Sequence, residues 1–351
     1  MKKLIIKTVG VIIGVLAIVG ISLFAIDKIR NGKQEGEGKI VSSNFVGYDF
    51  ARAVVGDKAG ISMLLKPGMD AHDFEPTPED IIKIKEADLF IYIGGELEKW
   101  VSELLDNNDI PVEKTLKLMD MVSLKEEEII EGMEDTHEHT GGKHQGGDEH
   151  EDDSDEDDGH EESEYRHEYG HDEEEVEYDE HIWTSPINAM KMVSSIGDKM
   201  SEVRPENKEK YQKNVEEYNN RLTKIDQEIR EIVKNAKRKE LLFADRFPFR
   251  YFVDEYGLDY YAVFPGCSEQ TEASSKTVAF MINKIKENNF KVILKIELTS
   301  DKLAESIASE TGAKILELNA VHNISQDDFE KGVTYADIME KNLGVLREAL
   351  E

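Results

Sequence analysis

Twice along the chain, short apolar runs alternate with stretches of helical period, and that alternation admits few folds other than parallel sheets covered by helices. The first series reads as strands at 40–45, 61–66 and 89–93, with helices at 48–55 and 77–87. Thr77 stands where a helix N-cap is needed, Pro78 at the first helical position, and Glu79 and Asp80 complement the helix dipole. The second series gives strands at 241–244, 260–264, 291–296 and 314–318, helices at 249–256, 275–288 and 301–311, and a closing helix at 327–351. Between the two series lie a helix at 186–200 and a longer one. In the longer helix Tyr211, Val215, Tyr218, Leu222, Ile225, Ile229 and Ile232 recur at steps of four and three. One apolar stripe over roughly 30 residues makes a helix of about 45 Å, enough to run along a two-lobed molecule. The expected fold class is α/β, two lobes with parallel sheets linked by a single long rigid backbone helix.

The 351 residues carry 43 basic and 75 acidic side chains, a net charge of −32, but the excess is local. Between Glu131 and Glu180 there are 24 Asp and Glu against only Lys143 and Arg166, so 22 of the 32 negative charges fall in this one stretch. Almost nothing aliphatic lies there to bury, and the stretch reads as a disordered acidic, His-rich insert. The expected organisation is an N-terminal segment at 1–38, an N-terminal α/β lobe at 39–130, the insert at 131–180, a joining segment with the long helix at 181–240 and a C-terminal α/β lobe at 241–351. Strong acidity argues against a nucleic acid partner. The single cysteine, Cys267, excludes an internal disulfide and any multi-cysteine metal site.

Lys2, Lys3 and Lys7 precede a charge-free run at 8–26, long enough to cross a bilayer core as a helix. The order of charges predicts an inside N-terminus and export of the rest. No cysteine follows the run, so the expectation is a helix-anchored protein that is not a lipoprotein, with a cleaved signal peptide as the alternative.

No Walker loop, dinucleotide fingerprint, nucleophile elbow or H-E-x-x-H motif is present, and the spacing of side chains suggests no nucleophile–base pair. An enzyme is not expected. Histidine carries the information. Seven of ten lie in the acidic insert: His137, His139, His144, His150, His160, His167 and His171. Imidazoles mixed with carboxylates bind borderline divalent ions, zinc above all. The other three, His72, His181 and His322, each sit at the edge of a predicted element, where open parallel sheets bind their ligands. Together they point to a shared metal site in the cleft between the lobes.

The segments PGMDAHDFEPTPEDI, ADLFIYIGGELEKW and HIWTSPINA resemble the solute-binding proteins of zinc and manganese ABC importers, the ZnuA/TroA type. KVILKIE, LAESIASETGAKILEL and the closing YADIMEKNL are similar to the C-terminal lobe of that family. The resemblance covers about 39–351 and implies capture of zinc, with manganese as the alternative cargo, by a monomer that docks on a membrane permease. It makes His72 the first ligand. It makes His181 the second, although Glu180 replaces the proline usually found before it. The third histidine is expected five residues before a tyrosine; counting back from Tyr251 gives Arg246, and the adjacent Asp245 is taken instead. The fourth, an aspartate after the late strand, is replaced by Asn319, with His322 three residues on. The expected set is thus His72, His181, Asp245 and His322, with Glu297, Glu272 and Asn319 in reserve and the insert histidines as weak auxiliary sites. Two rivals follow from other classes: a metallohydrolase with Glu297 as base, and a zinc-sequestering or adhesive surface protein in which the insert is the function.

Overall fold

The computed structural model describes residues 39–56, 60–69, 74–107, 110–133, 177–266, 268 and 272–351. The charge-free run at 8–26, His72, Cys267 and the seven insert histidines lie outside the described residues.

The first sheet is formed by β1 (Ile40–Ser42), β2 (Ile61–Met63), β3 (Leu89–Tyr92) and β4 (Thr115–Lys117), in the order β2-β1-β3-β4 with every pair parallel. The apolar run that reads as one strand at 40–45 is divided. Asn44 caps the helix α1 (Phe45–Val55) by accepting from the Gly47 N–H at 3.1 Å, so the strand stops at Ser42. Helix α2 (Pro78–Glu86) carries the expected start: Thr77 Oγ1 accepts from Asp80 N and the Asp80 carboxylate from Thr77 N, a closed capping box. Helix α3 (Lys99–Asn107) and β4 were not foreseen; β4 is three residues long and shows too little pattern to read.

A joining layer follows, α4 (Pro186–Val203) and α5 (Lys208–Asn235). The 28 residues of α5 make a rod of about 42 Å. Its stripe is buried as its periodicity predicts. Tyr211, Leu222, Ile225 and Ile229 are in the core, and Val215, Tyr218 and Ile232 are packed against it.

The second sheet repeats the first with β5 (Glu240–Arg246), β6 (Asp259–Phe264), β7 (Val292–Lys295) and β8 (Lys314–Glu317), in the order β6-β5-β7-β8, all parallel. Helices α6 (Arg250–Tyr256), α7 (Ser275–Asn288) and α8 (Lys302–Thr311) intervene between its strands. The closing helix is two helices, α9 (Gln326–Lys331) and α10 (Tyr335–Ala349). Gly332 ends the first at φ 73° and a Thr334–Asp337 capping box starts the second.

One hydrophobic core runs through both lobes, joining α1 and β1 to α4, α5, β5 and α10. Asp49 on α1, 1 % exposed, lies at the junction. Its carboxylate pairs with Arg52 and accepts from the Tyr218 hydroxyl on α5 at 3.0 Å and from Tyr335 N on α10 at 2.9 Å.

The root of the insert is ordered where disorder was expected. Glu126 and Tyr178 form an antiparallel bridge, Glu127 N donates to Glu177 O at 2.9 Å, and Asp179 N donates to Lys125 O at 2.9 Å. Lys125 pairs with Asp254 of α6 at 2.5 Å, so the outgoing strand already lies on the second lobe. Asp179 and Glu180, at 2 % and 1 % exposure, belong to the folded body.

Candidate metal centre between the lobes

His181 and His322 come together although 141 residues separate them. Their rings lie 4.7 Å apart between centroids at 79°. Trp183 stands edge-on to both, at 5.5 Å and 5.9 Å. Its indole N–H donates to Ala320 O at 2.7 Å, and its own carbonyl accepts from the Tyr335 hydroxyl at 2.7 Å, so it ties the His181 turn to the His322 turn. It was not singled out in the sequence; its signal was its place two residues after His181.

Each imidazole has its own carboxylate. Asp179 Oδ1 accepts from His181 N at 2.8 Å and lies 3.1 Å from His181 Nδ1. Glu297 Oε1 accepts from His322 N at 2.8 Å and lies 3.3 Å from His322 Nδ1, while Glu297 Oε2 accepts from Ala320 N at 2.7 Å. His181 is fully buried and its Nε2 has no hydrogen-bond partner. Burial holds His322 below the usual histidine range, which keeps it neutral and able to bind a cation. Burial pushes Glu297 up, but the hydrogen bond from His322 and the adjoining backbone donors outweigh it, and the carboxyl is held below its usual range.

The other expected ligands are placed as follows. Asp245 is the penultimate residue of β5, and its oxygens accept from Arg246 N at 2.8 Å, Ile296 N at 3.2 Å and Thr299 Oγ1 at 2.6 Å. Three donors bind that carboxylate into the joint between β5 and β7. Asn319 shapes a turn: its Oδ1 accepts from Val321 N at 2.8 Å. Glu272 is exposed. Glu297 faces the backbone of the His322 loop through both oxygens. His72 is outside the described residues, but both ends of its segment adjoin the His322 loop. Asn323 Nδ2 donates to Lys66 O at 2.8 Å and Met69 O at 2.7 Å, and Phe74 lines the same cavity as Trp183 and His322. Among the described residues no three His, Cys, Asp or Glu side chains gather closely enough to hold a metal.

Glu180 and Glu98 line that cavity as well. Burial pushes the Glu180 carboxyl up to about 8, against hydrogen bonds from Leu97 N at 3.0 and 3.2 Å. The segment carrying Glu180 leaves little room on either side of the site. A Cβ on Gly95 would lie 2.5 Å from the Glu180 carboxyl, and one on Gly266 would lie 3.2 Å from His181 Cε1.

Two four-stranded parallel sheets on a helical spine, with imidazoles meeting where they adjoin, define a two-lobed α/β protein with a candidate ligand site between its lobes. The chain belongs to the family described as zinc-uptake complex component A, periplasmic (ZnuA), whose model matches residues 40–349. It is 33% identical over 314 residues to the high-affinity zinc uptake system protein ZnuA of Bacillus subtilis, covering 89% of this chain and 87% of that protein. It is 30% identical over 331 residues to the zinc-binding lipoprotein AdcA of Streptococcus pneumoniae, covering 94% of this chain but 59% of AdcA. The chain thus spans little more than half the length of that relative. The solved Zn(II)-bound ZnuA-like domain of S. pneumoniae AdcA is similar in structure, with a TM-score of 0.67 at 28% identity over 90% of this chain and 99% of that one.

The expectation of a helix anchor without lipid is corrected by these findings. The pneumococcal relative is named a lipoprotein, and no helix among the described residues is long and apolar enough to cross a membrane.

Proposed function

We propose that the chain is the zinc-capturing receptor of an ABC importer, binding the ion between its lobes and presenting it to a permease without chemistry of its own. The observation that carries this reading is the His181–His322 pair, with a buried, unpartnered Nε2 on His181. An unsatisfied buried acceptor costs roughly 1–3 kcal/mol, and a cation there removes the penalty. Imidazole nitrogens suit zinc, at about 2.0–2.1 Å. His72 is the third donor of the proposed set, on a segment whose flanking residues are stitched to the His322 loop. Asp245 is read as structural, because its hydrogen bonds already hold the strand ends together. The insert histidines are read as weak auxiliary sites that raise the local concentration of the ion.

Native mass spectrometry of the protein, with zinc and manganese in competition and a chelator as control, tests this. One tightly held zinc is expected. Preferential retention of manganese, or release of zinc to a weak chelator, would reject the assignment.

A further inference from the structure

Asp179 and Glu297 occupy equivalent places in two unrelated loops. In each case one carboxylate oxygen sits against both the backbone N–H and the ring Nδ1 of the same histidine, at 2.8 and 3.1 Å for His181 and at 2.8 and 3.3 Å for His322. A carboxylate in this position can only accept, so the contact requires the proton on Nδ1 and leaves Nε2 bare. On His181 that bare nitrogen is the buried atom without a partner.

We propose that Asp179 and Glu297 are a matched pair of positioning residues that fix the tautomer and aim of His181 and His322, and that neither is itself a metal ligand. This rests on the zinc reading above and assigns a role to two residues within it.

The loops around the pair are built to hold the carboxylates still. Glu297 is followed by Leu298 at φ 58°, and His322 is preceded by Val321 at φ 62°, fully buried. A β-branched residue in the left-handed region is an outlier held only by its surroundings. Here the twist turns Ala320 N and His322 N toward the two oxygens of Glu297, at 2.7 and 2.8 Å. Asp179 is fixed through its backbone. Its N–H reaches Lys125 O, and its carbonyl accepts at 2.8 Å from the Tyr251 hydroxyl, which in turn accepts from Lys125 N at 3.1 Å. The root of the acidic insert therefore fixes the residue that aims His181.

The test has two readouts. In the zinc-free full-length protein, imidazole 15N shifts, assigned with His181→Ala and His322→Ala, report which nitrogen carries the proton. Nδ1–H is expected on both rings. Competition with a strong chelator reports zinc affinity. Asp179→Ala and Glu297→Ala are expected to weaken zinc about 10–100-fold and to release the Nδ1–H preference. Asp179→Asn and Glu297→Gln are expected to retain both, because the backbone N–H of the histidine keeps the amide oxygen turned toward the ring. A proton on Nε2 in the wild-type protein overturns the proposal whatever the variants do. So does zinc affinity within threefold of wild type in both alanine variants. Failure of the wild-type protein to hold zinc would instead strike the zinc reading, and the 15N measurement would still decide the tautomers.

Discussion

The two lobes share strand order and direction, yet they turn the chain at their ligand-facing ends by different means. After β3 the first lobe uses Gly94 and Gly95, at φ 97° and 89°, where the absence of a Cβ makes the conformation unstrained. After β7 and β8 the second lobe uses Leu298 and Val321, at φ 58° and 62°. The glycine turn makes room for the Glu180 carboxyl, whereas the Val321 turn directs two backbone donors onto Glu297. Glycine is used where the chain must let a neighbour approach. Strain is tolerated where a side chain must be held in one orientation: Val321 directly precedes His322, and Leu298 directly follows the Glu297 that faces it.

Four measurements break or sharpen that contrast. The largest effect is expected from His181→Ala and His322→Ala. Each should weaken zinc at least about 100-fold, or ~2.7 kcal/mol, in a chelator competition. Asp245→Ala should lower the melting temperature and leave zinc affinity nearly unchanged. Equal loss of zinc in all three would return Asp245 to the ligand set.

Next comes pH. Glu180 titrates near 8 when folded, against an ordinary value of 4.5. The folded state thus holds a proton that the unfolded chain gives up. The stability this confers is full below about pH 4.5 and is lost as pH rises through about 8. In zinc-free protein Glu180→Gln should flatten the decline between pH 5 and 8 by about 2 kcal/mol, read from urea midpoints. Parallel pH profiles for the two proteins would show that the carboxyl is ionised throughout.

Gly95→Ala should destabilise by about 2 kcal/mol, because the new methyl meets the Glu180 carboxyl at 2.5 Å and the backbone is at φ 89°. The smallest effect is expected at Leu298, 52 % exposed, where Leu298→Gly should stabilise by about 0.5 kcal/mol as strain is relieved. Calorimetry reads both. A destabilised Leu298→Gly protein would mean that the turn carries no strain.

The alternation of strand and helix was legible because parallel strands are buried on both faces and read as apolar runs. The spine was legible because its stripe is sustained. Short elements were not: β4 has three residues, and β1 is cut short by the Asn44 cap, which lies between Val41 and Phe45 in a stretch that reads as one strand. Within the site His181 and His322 were found as edge histidines. Their convergence rests on long-range packing that no local pattern shows, since Trp183 and Ala320 are 137 residues apart. Asp179 was lost inside an acidic stretch where its charge did not distinguish it. Its one local signal was its spacing two residues before a histidine, which lets one oxygen reach both the backbone and the ring. The strain at Val321 has no signature in sequence, because valine gives no sign of φ 62°.

Asp49 accepts from Tyr335 across 286 residues, in a core that runs unbroken through both lobes. Neither sheet, then, is an autonomous folding unit. A chain growing from its N-terminus can pair β1, β2 and β3 early and set Arg52 against Asp49, yet that buried carboxylate lacks its backbone donor, Tyr335 N, until the last helix arrives. Such wiring favours a single cooperative melting transition over two, and it makes the final fifteen or so residues a checkpoint for the whole molecule. Truncation before Tyr335 should yield a collapsed, unstable species and not a working first lobe.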